Sequence, residues 1–266
     1  MSEALQQAAG ERLRRALAAL TRTPLTGALA GMVVTAVVQS SSATTVMVIG
    51  FVSAGLLELP QAVAVIFGAN IGTTVTAQLL AFRVEEMLGL VLFGGFFLCA
   101  VARTKRGRQM GTAVFSFGLL FAGMEQIQSV VEPLALRPEF EAWMAQVREK
   151  PLWGLLLGLG MTLVVQSSSA TIGVLQGVAQ QAGPDGVHSL LGLAGAVPVL
   201  LGDNVGTTIT AILAAAGGTR DAKRAAAAHC CFNLSGSLVC LLALPWFVRL
   251  VELLPPEGEE LEIIAR

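Results

Sequence analysis

The feature that most constrains this chain is a polar cluster that occurs twice inside apolar sequence. Both copies read Val-Val-Gln-Ser-Ser-Ser-Ala-Thr, at residues 37–44 and 164–171, so they lie 127 residues apart. Three hydroxyls and an amide are costly to bury in apolar surroundings unless other polar groups pair with them. A chain that carries this cost twice is expected to bring the two copies together in one polar site.

The repeat extends well beyond the polar cluster. Residues 24–44 and 151–171 align without a gap and are identical at 14 of 21 positions. Each copy is followed by a second motif, GANIGTTVTA at 68–77 and GDNVGTTITA at 202–211. Because internal repeats organise a fold, we expect each half to form one unit, in which a short link joins two apolar segments that polar residues interrupt.

Composition places the chain in a membrane. Hydrophobic residues make up 54% of the 266 residues and charged residues 13%, and the mean hydropathy is +0.72. These values are typical of an integral membrane protein. The net charge of −1 argues against nucleic acid as a partner.

Segment lengths indicate how the chain would cross a bilayer, which takes about 20 helical residues. Residues 25–57 are too long for one crossing and too short for two, so we predict a re-entrant helical hairpin with residues 39–42 near its tip. Residues 152–181 predict a second hairpin in the same way. Five further segments are long enough to cross, at residues 61–81, 86–102, 111–131, 190–216 and 225–250.

Clusters of basic residues test this topology. One cluster precedes the first hairpin, and two others lie at residues 103–108 and 220–224. The positive-inside rule places all three in the cytoplasm, where they fall if the first hairpin enters and leaves from that side. The two repeats then have opposite orientations. The predicted fold is an all-α integral membrane protein with an inverted-topology repeat, two re-entrant helical hairpins and broken transmembrane helices.

The predicted organisation has five parts. They are an amphipathic N-terminal segment (1–23), repeat 1 (24–84), connecting transmembrane helices with an outer loop (85–150), repeat 2 (151–217), and a final transmembrane helix with an acidic tail (218–266).

Inverted repeats with interrupted helices are a recurring plan of secondary transporters, which bind substrate and coupling ions between the repeats. Gln, Ser, Thr and Asn side chains coordinate Na⁺ through oxygen and donate hydrogen bonds to oxyanions, and helix N-termini add N–H groups. Neither polar cluster contains Lys or Arg. Cotransported cations would therefore compensate for an anion's charge, and anion and Na⁺ would each raise the affinity for the other.

At these residues the chain resembles a known family. The paired QSSSAT motifs, each followed by GxNxGTT, are similar to those of the type II sodium–phosphate cotransporters over roughly residues 10–250, and residues 224–233 resemble a family element with an H-x-x-F-N pattern. The resemblance implies uptake of inorganic phosphate across the bacterial inner membrane by alternating access. Na⁺ would be the coupling ion, with no other cofactor. Family members usually carry a further apolar helix at each end.

The repeats and the resemblance together define the candidate substrate- and ion-binding residues. They are Gln39, Ser40, Ser41, Ser42, Thr44, Asn70, Thr73, Thr74, Gln166, Ser167, Ser168, Ser169, Thr171, Asp203, Asn204, Thr207 and Thr208. Within this set we expect Na⁺ to be bound through Gln39, Ser41, Thr73, Gln166, Ser168 and Thr207. Asp203 stands where repeat 1 has Ala69, and it would bind a cation, carry a proton or cap a helix end. No residue is assigned to catalysis.

Purely structural explanations compete at some positions. The glycines with GxxxG spacing are explained by helix packing alone, which we favour for the pairs at 27/31 and 154/158 and less for those at 68/72 and 202/206. His229 is expected near a helix start, with backbone groups as its partners.

Other functions remain open alternatives. An intramembrane serine hydrolase would use a triplet serine with His229, but no GxSxG motif is present. A passive pore, a non-transporting sensor or scaffold subunit, and a transporter of sulfate or another oxyanion are also compatible with the residue types. The expected partners are inorganic phosphate, Na⁺ and the lipid bilayer, and a homo-oligomer is compatible with the sequence.

Overall fold

The computed structural model describes residues 19–80, 87–183 and 188–253, and within them the chain folds into twelve helices. The all-α prediction is confirmed for these residues. The predicted acidic tail and most of the N-terminal segment lie outside them. The helices are α1 (Pro24–Val38), α2 (Ser41–Ser53), α3 (Leu59–Leu80), α4 (Leu88–Val101), α5 (Lys105–Ala135), α6 (Pro138–Glu149), α7 (Pro151–Val165), α8 (Ser168–Ala179), α9 (Gly192–Gly206), α10 (Thr208–Ala215), α11 (Arg220–Leu242) and α12 (Leu244–Glu252).

In the described part of the chain, four helical stretches are long and apolar enough to cross a membrane. They are Leu59–Gln78, Lys105–Ala135, Gly192–Ala215 and Arg220–Leu242. The predicted crossing at 86–102 is represented by α4, which has only 14 residues. The predicted crossing at 225–250 divides at Ala243, because Pro245 begins a new helix.

The two polar clusters lie in turns of the same local structure. α1 ends at Gln39 in the left-handed conformation, with φ 59° and ψ 27°, and the side chain of Ser40 caps α2. In the second half, α7 ends at Gln166 with φ 55° and ψ 26°, and Ser167 caps α8. Each turn therefore joins two helices of 12 to 15 residues, too short to cross a bilayer alone.

Each of these turns folds the chain back on itself. The hydroxyl oxygens of Thr35 and Thr44 are 3.0 Å apart, and those of Thr162 and Thr171 are 3.2 Å apart. Nine residues of straight helix would separate the two positions by about 13.5 Å. The threonine pairs therefore close two helical hairpins, whose position relative to a membrane stays a prediction.

In repeat 1, glycines bring α1 and α3 into backbone contact. A Cβ atom at Gly31 would lie 2.0 Å from the carbonyl oxygen of Val65, and one at Gly68 would lie 1.8 Å from that of Ala28. Only residues without a side chain allow so close an approach. The glycine of the GANIGTT motif thus serves packing as directly as the glycine of α1.

The same contact recurs between α7 and α9 in repeat 2. A Cβ atom at Gly158 would lie 1.9 Å from the carbonyl oxygen of Val199, and one at Gly202 would lie 2.0 Å from that of Leu155. The two halves therefore share their packing as well as their turns. Helix packing explains the glycines of both motif types, including those for which we favoured it less.

The prediction of a broken helix at the first GxNxGTT motif is wrong, because α3 is continuous from Leu59 to Leu80. The hydroxyls of Thr73 and Thr74 donate to the carbonyl oxygens of Ala69 and Ile71 inside this helix. At the second motif the interruption is a single residue, Thr207. Its backbone N–H still donates to the carbonyl of Asp203 at 3.0 Å, as in a regular helix.

The two halves meet through the second helix of each hairpin. α2 packs against α10 and α11, in a core that includes Ile49, Ala211 and Ala226. α8 packs against α5 and α3, where Ile172 and Met124 form a small cluster with Ala77. Each hairpin is therefore in contact with helices of the opposite half.

The glycine contact predicts a position-specific effect on α7. Gly158→Ala should lower the free energy of unfolding by about 1–3 kcal/mol, because the new methyl group meets a backbone carbonyl that cannot move aside. Gly160→Ala is the matched control, because no atom lies within 4 Å of its Cβ position. Thermal unfolding of the two variants in detergent measures the difference, and equal unfolding temperatures would contradict the close contact.

Candidate functional site

A new helix begins at each hairpin turn. At α2, the Ser40 hydroxyl accepts a hydrogen bond from the N–H of Ala43 at 3.2 Å, and at α8 Ser167 accepts one from Ala170 at 3.3 Å. The first N–H groups of a helix have no acceptor within it. The remaining N–H groups belong to the second and third serines of each triplet, and together with the helix dipole they can bind an anion.

Both turns store backbone strain at the glutamine. In the described ranges, Gln39 and Gln166 are the only residues other than glycine with positive φ. The left-handed conformation costs about 1–2 kcal/mol for such a residue. Strain recurs at the same position of both copies, beside the start of a helix, which keeps the glutamines as candidate site residues.

The two turns differ in their exposure. In the first, Ser41 is buried and Gln39 is half-buried, with its amide nitrogen 2.5 Å from the carbonyl oxygen of Ala36. In the second, Gln166 is exposed and Ser168 is half-buried. The first turn is therefore the more enclosed of the two.

The last threonine of each cluster lies inside its hairpin. Thr44 and Thr171 are buried, and their hydroxyls donate to the carbonyl oxygens of Ser40 and Ser167 at 3.1 and 3.2 Å. The same two hydroxyls contact the threonines at positions 35 and 162, which were not among the predicted site residues although the repeat alignment conserves them between the halves. These four threonines hold the hairpins closed.

Asp203 connects the second hairpin to the second GxNxGTT motif. Its carboxylate accepts a hydrogen bond from Thr162 at 2.5 Å and is also within reach of the Thr171 hydroxyl. The residue is buried at 3% exposure. Its counterpart in repeat 1, Ala69, is also fully buried but carries no charge. The second hairpin therefore has an acidic side chain beside it where the first hairpin has an alanine.

The two asparagines of the GxNxGTT motifs have different surroundings. Asn70 donates from its amide nitrogen to the Oδ1 atom of Asn233 on α11, at 2.7 Å. Asn204, the equivalent residue of repeat 2, is exposed. Asn233 was not among the predicted site residues, although it ends the H-x-x-F-N pattern.

Within each repeat the structure brings the two motifs together. A Cβ atom at Gly72 would lie 2.7 Å from the Cβ of Thr35, and one at Gly206 the same distance from the Cβ of Thr162. Between the repeats, no hydrogen bond joins predicted site residues in the described ranges. A single site formed by both repeats therefore stays a prediction.

The predicted site residues fall into three exposure classes. Buried are Ser41, Thr44, Thr171, Asp203, Thr207 and Thr208; half-buried are Gln39, Ser40, Ser42, Asn70, Thr73, Ser167, Ser168 and Ser169; exposed are Thr74, Gln166 and Asn204. The hydroxyls of Thr207 and Thr208 donate to carbonyl oxygens three residues earlier, which leaves their oxygens able to accept or to coordinate a cation.

The chain matches one protein family along most of its length. The model of the family described as Na+/Pi-cotransporter matches twice, at residues 1–129 and 130–251. The two matches divide the chain between the two halves that carry the repeated motifs. No solved structure matches the chain significantly.

Several relatives match over part or most of the chain. "Uncharacterized protein YqeW" of Bacillus subtilis is 32% identical over 246 residues, which are 92% of this chain and 78% of the relative. "Putative inorganic phosphate export protein YjbB" of Escherichia coli is 29% identical over 87% of this chain and 41% of its own length. "Sodium-dependent phosphate transport protein 2A" of Ovis aries is 46% identical over 63 residues, 24% of this chain and 10% of the relative.

Replacement of the strained glutamine by glycine should stabilise the fold. Gln166→Gly should raise the free energy of unfolding by about 1 kcal/mol, because glycine adopts the left-handed conformation without strain. Thermal unfolding in detergent measures this gain, with Gln146→Gly, at an exposed glutamine inside the right-handed helix α6, as the control. A loss of stability in Gln166→Gly would show that the turn depends on the side chain.

The carboxylate of Asp203 should be dispensable for folding. In Asp203→Ala the threonine pair of repeat 2 can keep its hydrogen bonds, as the pair of repeat 1 does beside Ala69. Removing a buried carboxyl group that has hydrogen bonds but no cationic partner in the described ranges also removes its desolvation cost. We expect an unfolding temperature within about 4 °C of the wild type. Thr162→Val is the comparison variant, because it breaks the hairpin's own hydrogen bond, and unfolding of Asp203→Ala alone would contradict this assignment.

Proposed function

Because the chain belongs to the Na+/Pi-cotransporter family, we propose that it is a Na⁺-coupled secondary transporter of inorganic phosphate. The observation that carries the proposal is the pair of strained Gln-Ser-Ser-Ser turns, each at the open N-terminus of a helix. Two such ends offer N–H donors and hydroxyls to an oxyanion and oxygen ligands to Na⁺. Two relatives are named as a putative phosphate export protein and a sodium-dependent phosphate transport protein, and these names support phosphate as the substrate and Na⁺ as the ion.

The proposed architecture is an inverted-topology repeat with two re-entrant hairpins in the bacterial inner membrane. The shortness of the hairpin helices and the placement of the basic clusters support it. In this arrangement the two turns approach the middle of the membrane from opposite sides. Alternating access would then expose the site between them to one side at a time.

Charge indicates how substrate and ion divide the site. The carboxylate of Asp203 repels an anion and attracts a cation, and it lies beside the second hairpin. We therefore place phosphate nearer the first turn, where Ser41 is buried, and at least one Na⁺ nearer the second. With no Lys or Arg in either cluster, Na⁺ is the charge that allows the anion to bind.

The direction of transport follows from the gradients and not from the site. Coupling to an inward Na⁺ gradient drives import, which is the direction we propose. The relative from Escherichia coli is named as an exporter, and this chain spans only 41% of its length. The alternative function, a non-transporting sensor or scaffold subunit, predicts phosphate binding without flux.

Uptake of radiolabelled phosphate into proteoliposomes tests the proposal. We expect saturable uptake with an inward Na⁺ gradient and none with an equal K⁺ gradient, because only Na⁺ balances the anion in the site. Competition with unlabelled phosphate and sulfate identifies the oxyanion. Sodium-independent flux would indicate a passive pore, and binding without flux would indicate a sensor.

Serine substitutions test the division of the site. Ser41→Ala should lower the affinity for phosphate by about tenfold or more, because one hydrogen bond to a charged group is lost. Ser168→Ala should raise the Na⁺ concentration for half-maximal uptake more than the phosphate concentration. Ser235→Ala, at an exposed serine of α11, is the control and should behave as the wild type. Equal effects of both triplet variants on both ligands would contradict the division.

A further inference from the structure

α11 presents a stripe of polar side chains on its buried face. His229, Asn233 and Ser237 are one helical turn apart, and each is at most 5% exposed. Ser237 donates to the carbonyl oxygen of Leu201 on α9 at 3.1 Å. The stripe lies outside both repeated motifs, so the proposed function does not use it.

Two members of the stripe have buried atoms without partners. Among the residues that the structure describes, neither ring nitrogen of His229 nor the amide nitrogen of Asn233 has a hydrogen-bond partner. The expectation that His229 lies near a helix start with backbone partners is therefore wrong, because His229 lies inside α11, well beyond the first-turn N–H groups that lack helical acceptors. Buried polar groups without partners are costly, and a residue type able to bind a proton stands at this position.

The stripe is connected to the predicted site. Asn233 accepts the hydrogen bond from Asn70, a predicted ligand residue of repeat 1. His229 lies one turn, about 6 Å along the axis, from Asn233. α11 also packs against α2, in the core that contains Ile49 and Ala226, the latter three residues before His229.

The helices packed against α11 carry few ionisable side chains that could bind a proton in place of His229. α2, α3 and α10, which pack against α11, contain no Asp, Glu, Lys, Arg or His within their bounds. α9 contributes Asp203, which is bonded to Thr162 of α7, and α12 contributes Arg249 and Glu252. The other ionisable side chains of α11 itself are Arg220, Asp221, Lys223 and Arg224 in its first two turns and the thiols of Cys230, Cys231 and Cys240.

We propose that His229 is a proton-binding site coupled to the anion site, so that a proton accompanies phosphate in addition to Na⁺. This inference rests on the proposed function. Charging a buried imidazole is costly unless an opposite charge is near, and phosphate at the first turn supplies that charge. The proton comes from the aqueous phase and returns to it when the anion leaves. By linkage, proton and anion each raise the affinity for the other.

The chain contains only two histidines, so His188→Gln leaves His229 as the single one. With ¹⁵N-labelled histidine, NMR of this variant at pH 7 in NaCl reports the imidazole directly, before and after addition of inorganic phosphate. We expect the neutral ring without phosphate and the imidazolium ion at saturating phosphate. Radiolabelled phosphate binding is measured on the same sample.

The outcomes separate this inference from the proposed function. If phosphate binds and the ring stays in one protonation state, the proton site is refuted while the transporter proposal stands. If no phosphate binds, the proposed function fails and this inference fails with it. The NMR arm leaves His229 in place, so it is decisive even if a His229 variant does not fold.

Transport gives a second readout. His229→Gln should flatten the dependence of Na⁺-driven phosphate uptake on pH between about pH 6 and pH 8, while His188→Gln should keep the wild-type profile. Phosphate itself titrates in this range, but equally for all variants, so the difference between them reports the protein. Identical profiles for the two variants would overturn the proposal.

Discussion

The structure depends on the need to satisfy polar groups at two helix turns that lie in apolar surroundings. At each turn a helix ends in a left-handed glutamine, a serine caps the next helix, and two threonine hydroxyls meet across the hairpin. With these partners the chain can reverse direction without leaving the capping hydroxyls unpaired. The first N–H groups of the following helix belong to the serine triplets, so the turn that folds each hairpin also carries candidate binding groups.

Glycine contacts convert these two hairpins into a rigid frame. α1 lies on α3 and α7 lies on α9, with backbone carbonyls at the positions that glycine Cβ atoms would occupy. This close packing fixes the position of each turn relative to the GxNxGTT motif behind it. The glycine-packed helices and the polar motifs thus belong to one packing unit, which occurs twice in the chain. The repeats differ at a buried position, where repeat 2 has the carboxylic acid Asp203 and repeat 1 has Ala69.

Much of this arrangement can be predicted from the sequence because the chain contains an internal repeat. The helical class, the hairpins around residues 39 and 166, and the pairing of QSSS with GxNxGTT motifs follow from apolar runs and their duplication. The broken helix predicted at the first GxNxGTT motif was wrong, because Gly68 and Gly72 are accommodated by neighbouring backbone and Thr73 and Thr74 bond within the helix. Glycine and threonine in a row do not by themselves distinguish an unwound helix from a closely packed one.

The sequence by itself determined the membrane class, the two-fold repeat and the residue types of the site, because hydropathy and identity between the halves are properties of the chain alone. Only the tertiary structure decided which polar groups are already paired. It placed the threonines at 44 and 171 inside their hairpins and joined Asn70 to Asn233 across 163 residues. It also left the imidazole of His229 buried with no hydrogen-bond partner in the described part of the chain. Such pairings depend on how helices from distant parts of the chain pack, and a local pattern carries no information about a partner on another helix.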